Sequence, residues 1–436
     1  MTDRITFIEN EPQALPKATA DEIAEAVEGL KTALRPRSQQ YIREGNTITL
    51  RNLIGSVGLS SGRVLEVTPQ SSREGDWAES VVQLLTDKTR ITVTGSQRSR
   101  QSRPRNDLTA ALAFEYERRL ERALAKDGPI QLYEHQRHTS RRLNGRLDVG
   151  RWVRLAILDP TKYPVIRDEF SVSNEFSQGL SVVAGYFRRS AINAPLAARL
   201  RRLESAVLPG KPLPFYVDPA VAVRQVPHQW ASFRPAWDIA RAVLKNRSII
   251  GDPMHSVGLE VAIEPWPLLE TLLARTLEQV GNITHGDIRP AEKTAHGLLF
   301  QSSIAVKSVI PDGVLTQNGA VVASFEAKYT DPAQLPAEKH IYQTLTASGV
   351  LDAPLAILVY PTAAPVQVFD AKVHWGRSVR LVTLGLDLFG YHREHGAAKR
   401  ASQLLDVLNE HAPGALGAKR CGRREISDAD KSGKEA

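Results

Sequence analysis

Apolar and polar positions alternate on both sides of Asn318-Gly319, with Val314 and Leu315 before the pair and Val321, Val322, Ala323 and Phe325 after it. An Asn-Gly pair between two such runs is the strongest short-range signal for a β-hairpin. Residues Leu355 to Tyr360 are apolar throughout and predict a strand buried on both faces. From Pro267 to Val280, residues Leu269, Leu272, Leu273, Thr276 and Val280 fall on one helical face, and Gly281 is placed to end that helix. A second helix is predicted from Lys339 to Gly349, with further strands at Gln367–Trp375 and Ser378–Leu386. The C-terminal third thus reads helix, hairpin, helix, strand, with a first strand expected within Leu298–Val309.

The chain upstream has a different texture. Short runs at Ile5–Ile8, Thr47–Leu50, Gly55–Leu59 and Arg63–Val67, each bounded by Gly, Asn or Ser, predict a small sheet or partial barrel. Helices are expected near Asp21–Leu34 and from Asn106 or Asp107 to Ala125, the latter with Leu108, Leu112, Tyr116, Leu120 and Leu124 on one stripe. Gln131–Arg137 predicts a strand, and Asn174–Ser190, Pro195–Val207 and Trp237–Lys245 predict helices. The expected class is α/β (α+β overall). It comprises a β-rich N-terminal domain over 1–130 expected to dock a partner, a basic and helical middle region over 131–250, an α/β domain over 251–416, and a disordered tail from 417.

Candidate chemistry gathers on the hairpin. Asp312 stands at the edge of its first strand, and Glu326 and Lys328 lie in its second. Residues two apart on a strand share a face, so Glu326 and Lys328 project together, and strand pairing can bring Asp312 beside them. Either half is commonplace alone: Pro-Asp-Gly makes turns, and Glu-x-Lys decorates solvated strands. Here the charges end a buried apolar run, where they must be paired or bound to metal. Two carboxylates suffice for Mg²⁺, which keeps several waters of its own. Glu270, on the flank of the 267–280 helix, is a candidate third metal ligand.

Net charge is +8 and the isoelectric point about 9.5, which favours a polyanionic partner. The basic loop 97–105 and the series Arg141, Arg142, Arg146 and Arg151 are candidate phosphate contacts, or equally a docking surface for an acidic protein. Cys421 is the single cysteine, which excludes disulfides and cysteine zinc sites. There is no G-x-x-x-x-G-K-[ST] loop and no H-E-x-x-H, so NTP hydrolysis through a P-loop and zinc hydrolysis of that type are not expected. No apolar run approaches membrane-spanning length and no secretory segment begins the chain; a cytoplasmic location is expected.

Pro311-Asp312 with Glu326-Ala327-Lys328 resembles the motif of the PD-(D/E)xK nucleases, whose core has the order αβββαβ. Over roughly residues 40–390 the chain is similar to the McrC family, the nuclease subunits of McrBC-type modification-dependent restriction systems. The likeness runs through Val57-Gly58-Leu59, Leu65-Glu66-Val67-Thr68-Pro69, Gly145-Arg146-Leu147-Asp148-Val149, Asp168-Glu169-Phe170-Ser171-Val172, Tyr342-Gln343 and Leu358-Val359-Tyr360-Pro361. It departs from the family at Glu326, where aspartate is common, and at Thr330, where a lysine is common. The resemblance implies a DNA endonuclease using Mg²⁺, with Mn²⁺ as a substitute, in which Asp312 and Glu326 hold the metal and Lys328 positions water. It also implies an AAA+ GTPase partner that supplies nucleotide hydrolysis and recognition of the modified base. Competing expectations are a non-catalytic adaptor that stimulates a partner NTPase, and a stand-alone repair nuclease.

Overall fold

The computed structural model describes residues 4–34, 39–70, 77–85, 91–96, 108–191, 194–245, 258–301, 304–332, 335–372, 378–392 and 394–412. The expected loop 97–105, the cap at Asn106 or Asp107 and the tail from 417 lie outside these residues.

The N-terminal strands assemble into a five-stranded sheet in the order Arg4–Ile8, Val64–Thr68, Ile54–Gly58, Gly258–Ile263, Ile91–Ser96. Four of these come from the first hundred residues. The fifth, Gly258–Ile263, enters from far along the chain and pairs antiparallel with both neighbours. A small antiparallel sheet of Pro12–Ala14, Thr47–Leu50 and Tyr41–Glu44 lies alongside. Phe7, Ile23, Val27, Leu30, Ile48, Leu50 and Leu65 close a common core between these strands and the helix Lys17–Gly29.

The helix Leu108–Asp127 buries Leu108, Leu112, Tyr116 and Leu120, as its stripe predicts. It packs with Glu175–Ser190, Ala194–Ala206 and Arg234–Lys245 into a bundle whose core is continuous with the C-terminal sheet. Between these helices a nine-residue antiparallel pair, Leu132–Ser140 with Tyr163–Ser171, forms an arm. The sequence pattern left 149–158 without an element, yet it is a helix, capped by the Asp148 side chain accepting from the Arg151 backbone N–H. None of its residues is buried, and Ile157 and Leu158 are more than four-fifths exposed.

The C-terminal sheet has six strands in the order Ile288–Pro290, Gly313–Gln317, Ala320–Ala327, Leu355–Tyr360, Ser378–Gly385, Gln367–Lys372. The hairpin forms as expected: Asn318 and Gly319 both take positive φ, at 51° and 81°, the backbone that a two-residue primed turn requires. Ala320–Ala327, Leu355–Tyr360 and Ser378–Gly385 run parallel, and the helix Glu338–Leu351 makes the first crossover. All six residues of Leu355–Tyr360 are buried because the sheet is covered on both sides. Leu355, Ile357 and Val359 meet the core shared with the helices Trp266–Ile283 and Gly396–His411, whereas Ala356, Leu358 and Tyr360 meet Ile341 and Leu345 of Glu338–Leu351.

Two expectations need correction here. Residues 298–309 do not supply the first strand of this sheet. His296–Gln301 and Ile304–Val309 pair only with each other, in a separate bulged hairpin, and their apolar residues Leu299, Phe300 and Ile304 are exposed. The edge beside Gly313–Gln317 is taken instead by Ile288–Pro290, a three-residue strand ending at a proline with no N–H to donate. The first helix does not stop at Gly281 but continues to Ile283, and the left-handed residues that turn the chain are His285 and Gly286.

Candidate active site

The two strands of the hairpin register Gly313 opposite Phe325, which puts Asp312 beside the end of Ala320–Ala327. Asp312 is locked there from both sides of its own peptide. Its backbone N–H donates to the Phe325 carbonyl at 2.9 Å, and its Oδ2 accepts from the Ala327 N–H, also at 2.9 Å. Alternation along the strand turns Phe325 into the core and Glu326 to the opposite face, against the crossover helix. There the Lys328 Nζ donates to Glu326 Oε1 at 2.7 Å and to Gln343 Oε1 at 2.8 Å, while Gln343 Nε2 donates to the same Glu326 oxygen. The Lys328 backbone is fixed too, its N–H donating to the Val359 carbonyl at 2.8 Å.

Asp312, Glu326 and Lys328 line one cleft of about 480 Å³, together with Asn52, Trp266, Glu270, Lys293, Ile310, Ala327, Tyr329 and Gln343. The three residues singled out by sequence are therefore neighbours. Glu270 faces the same cleft, on the helix whose apolar stripe is buried. It is tied to Asp312 through Lys293, whose Nζ lies 3.4 Å from Glu270 Oε2 and 3.1 Å from Asp312 Oδ1. Among the described residues no three His, Cys, Asp or Glu side chains converge as a ligand set. Glu270 thus stands as an anchor for Lys293 in this arrangement.

The electrostatics are uneven. Glu326 is buried, and burial raises its pKa above the ordinary carboxylate value; the nearby Asp312 charge adds to the rise, and Lys328 and Lys293 oppose it. Its Oε2 is buried with no hydrogen-bond partner. Lys293 is pulled down by desolvation but raised further by Asp312 and Glu270, so it holds its proton more tightly than a free lysine. His340, on the crossover helix, has its pKa lowered by burial and by the Lys328 and Lys339 charges. Behind the cleft Tyr329 donates from its phenol to Glu9 Oε2 at 2.7 Å, across to the N-terminal sheet.

A divalent cation fits this donor set. One buried carboxylate oxygen lacks a partner, the Asp312 charge adds to the cost of ionising Glu326, and one or two protein carboxylates are what Mg²⁺ ordinarily takes. Sequence reasoning missed Lys293, which carries no local motif and reaches the cleft only because Ile288–Pro290 pairs with the hairpin. It noted Gln343 but gave it no role; placement on the crossover helix opposite Glu326 supplies one.

The arginines Arg141, Arg142, Arg146 and Arg151 are all exposed and are brought together on the arm, near its turn and at the start of helix 149–158. None of them lines the cleft.

The sequence model described as "McrBC 5-methylcytosine restriction system component" matches residues 48–361, well over half of the chain and the whole of the cleft's acid–lysine set. The chain belongs to the McrBC family. A search of curated proteins returns no match to it. Among solved structures, this McrBC-family chain is similar to a chain of the refined half-complex from the tetradecameric assembly of Thermococcus gammatolerans McrB AAA+ hexamers with bound McrC. The TM-score is 0.62 and the identity 15%, covering 93% of this chain and 100% of the other. A second similarity, to a chain of the cryo-EM Thermococcus gammatolerans McrBC complex, has a TM-score of 0.43 and 15% identity over 63% of this chain and 88% of that one. Among the described residues no helix is long and apolar enough to cross a membrane.

Proposed function

We propose that this chain is the nuclease subunit of an McrBC-type restriction system, a metal-dependent DNA endonuclease of the PD-(D/E)xK type that works with an AAA+ GTPase. The observation that carries the reading is the meeting of Asp312, Glu326 and Lys328 in one cleft, with Glu326 Oε2 buried and unpartnered. The order helix 266–283, strand 288–290, strands 313–317 and 320–327, helix 338–351, strand 355–360 supports it, being αβββαβ once the 296–309 hairpin is counted as an insertion. Asp312 and Glu326 would hold Mg²⁺, or Mn²⁺ in its place. When bound, the ion polarises a phosphate oxygen and lowers the pKa of a coordinated water.

The residues of the chain do the rest. Asp312 and Glu326 present oxygens from a rigid strand pair, so their separation does not depend on flexible loops. Lys328 commits two of its three N–H groups to Glu326 and Gln343 and has one left to orient the attacking water and to offset charge on the phosphate. Gln343 holds Lys328 and Glu326 at once and fixes their relative position.

The partner enters from the family and the fold. The solved relative contains McrB AAA+ hexamers with bound McrC, and this sequence has no P-loop of its own. In place of the 1–130 domain expected from sequence, we assign motor docking to the arm, whose helix 149–158 turns Val153, Ile157 and Leu158 to solvent beside Arg151. The test is cleavage of a 5-methylcytosine-containing plasmid by the chain with an AAA+ partner, GTP and Mg²⁺. Loss of cleavage in Asp312→Asn, with the protein still folded and still bound to the motor, is the expected result. Full cleavage by that variant would refute the assignment.

A further inference from the structure

Lys293 stands out because the motif does not require it. It precedes Asp312 by nineteen residues and follows Ile288–Pro290, the short strand that pairs antiparallel with the hairpin. That pairing carries its ammonium into the cleft, 3.1 Å from Asp312 Oδ1 and 3.4 Å from Glu270 Oε2. Asp312 Oδ2 is already engaged by the Ala327 N–H, so Oδ1 is the oxygen that an incoming cation would use. A divalent ion and an ammonium cannot share that oxygen at contact distance, because like charges repel strongly in a partly desolvated cleft. Lys293 is about half exposed, which gives its long side chain a route out into the cleft mouth.

We propose that Lys293 is a tethered counter-ion of the site: it occupies Asp312 Oδ1 when metal is absent, yields that oxygen when metal binds, and then meets the DNA phosphate. This inference rests on the metal-dependent nuclease reading and deepens it. Lys293 holds Asp312 in place while neutralising a cleft that otherwise carries three carboxylates, Glu270, Asp312 and Glu326, against Lys328 alone among its lining residues. Glu270 has a part as the second anchor of the lysine in its resting position. Metal arrival turns the same positive charge from an internal ion pair into a contact for a substrate that bears negative charge. The site thereby disfavours metal loading in the absence of substrate and favours it when a phosphate receives the displaced lysine.

The experiment is calorimetric titration of Mg²⁺ and of Mn²⁺ into the full chain without DNA, comparing wild type, Lys293→Met, Lys293→Arg and Asp312→Asn. Lys293→Met should bind about tenfold more tightly than wild type, since one competing ion pair of about 1.4 kcal/mol is removed. Lys293→Arg, which keeps the charge, should stay near wild type, and Asp312→Asn should lose binding. In the presence of the motor, Lys293→Met should cleave more slowly despite its tighter metal binding, a split that a purely structural residue would not give. If Asp312→Asn abolishes binding while Lys293→Met leaves it unchanged or weaker, the counter-ion role is overturned and the metal site stands. If neither wild type nor Lys293→Met binds either ion, both the metal reading and this inference are overturned.

Discussion

Tyr329 and Glu9, 320 residues apart in the chain, are joined by a 2.7 Å hydrogen bond from the phenol to the carboxylate. Tyr329 directly follows the candidate catalytic Lys328, and Glu9 directly follows the first strand of the N-terminal sheet. Desolvation acts on both groups: it pushes the Tyr329 phenol well above its ordinary pKa and raises Glu9 to about 8. Asn52, from the N-terminal region, lines the cleft as well. The strand end that carries the candidate site is therefore braced by the N-terminal sheet.

That brace makes stability depend on pH in a defined direction. From the ordinary glutamate value of 4.5 up to about 8, the folded chain keeps the Glu9 proton and the unfolded chain does not. The folded state binds more protons there, so Glu9 makes stability fall as pH rises, with the loss complete above about 8. Glu9→Gln, which mimics the protonated acid, should flatten this decline and raise the melting temperature at alkaline pH, by on the order of a few kcal/mol in stability. Melts of both proteins near about pH 5 and about pH 9 check it; equal slopes would show that Glu9 is not the titrating group.

Lys328→Ala should abolish cleavage while leaving the fold and motor binding intact. Removing a charge aimed at the transition state costs about 10²–10³ in rate in comparable sites, whereas a mere surface counter-charge would cost only about 0–1 kcal/mol of stability. Plasmid cleavage with motor and nucleotide present, beside a thermal melt, separates the two outcomes. Near-wild-type cleavage would remove Lys328 from the chemistry.

Cleavage should require a divalent metal, and Ca²⁺ should support DNA binding better than turnover. Ca²⁺ accepts the same oxygens in looser and larger coordination than octahedral Mg²⁺. Assays in EDTA, Mg²⁺, Mn²⁺ and Ca²⁺ with a matched binding measurement make the comparison. Full activity in EDTA would exclude the metal mechanism.

The double substitution Ile157→Asp and Leu158→Asp should leave the melting temperature within a degree or two, because neither side chain is buried. It should weaken binding to the AAA+ partner at least about tenfold if these are interface anchors. Pull-down or calorimetry with the motor reads the effect, and unchanged affinity would move docking away from the arm.

The site was legible in the sequence where local pattern and chemistry coincide. Asn318-Gly319 fixes the turn, and the strands it joins set Asp312 beside the end of Ala320–Ala327, although the register shift between Leu315 and Thr316 that sets their final pairing was not legible. The helix Gly396–His411 was not legible because Arg400 interrupts its apolar stripe. Arg400 is buried all the same, donating to the carbonyls of Leu386, Gly396 and Asp387, a long-range satisfaction that no local rule anticipates. The exposed hairpin 296–309 misled for the opposite reason: its Leu and Ile residues look like core and face solvent. Lys293 lay beyond reach because strand pairing, rather than spacing in the sequence, puts it in the cleft.

Because Glu9 and Asn52 contribute to the surroundings of Lys328, the cleft is not the property of a detachable cassette. A proteolytic fragment beginning after the strand Gly258–Ile263 would carry every acid and lysine of the motif and still lack one wall of the cleft. If the proposed nuclease reading holds, a broken subunit would be a poor source of stray cuts, because clipping the chain takes that wall away from the acids and lysines.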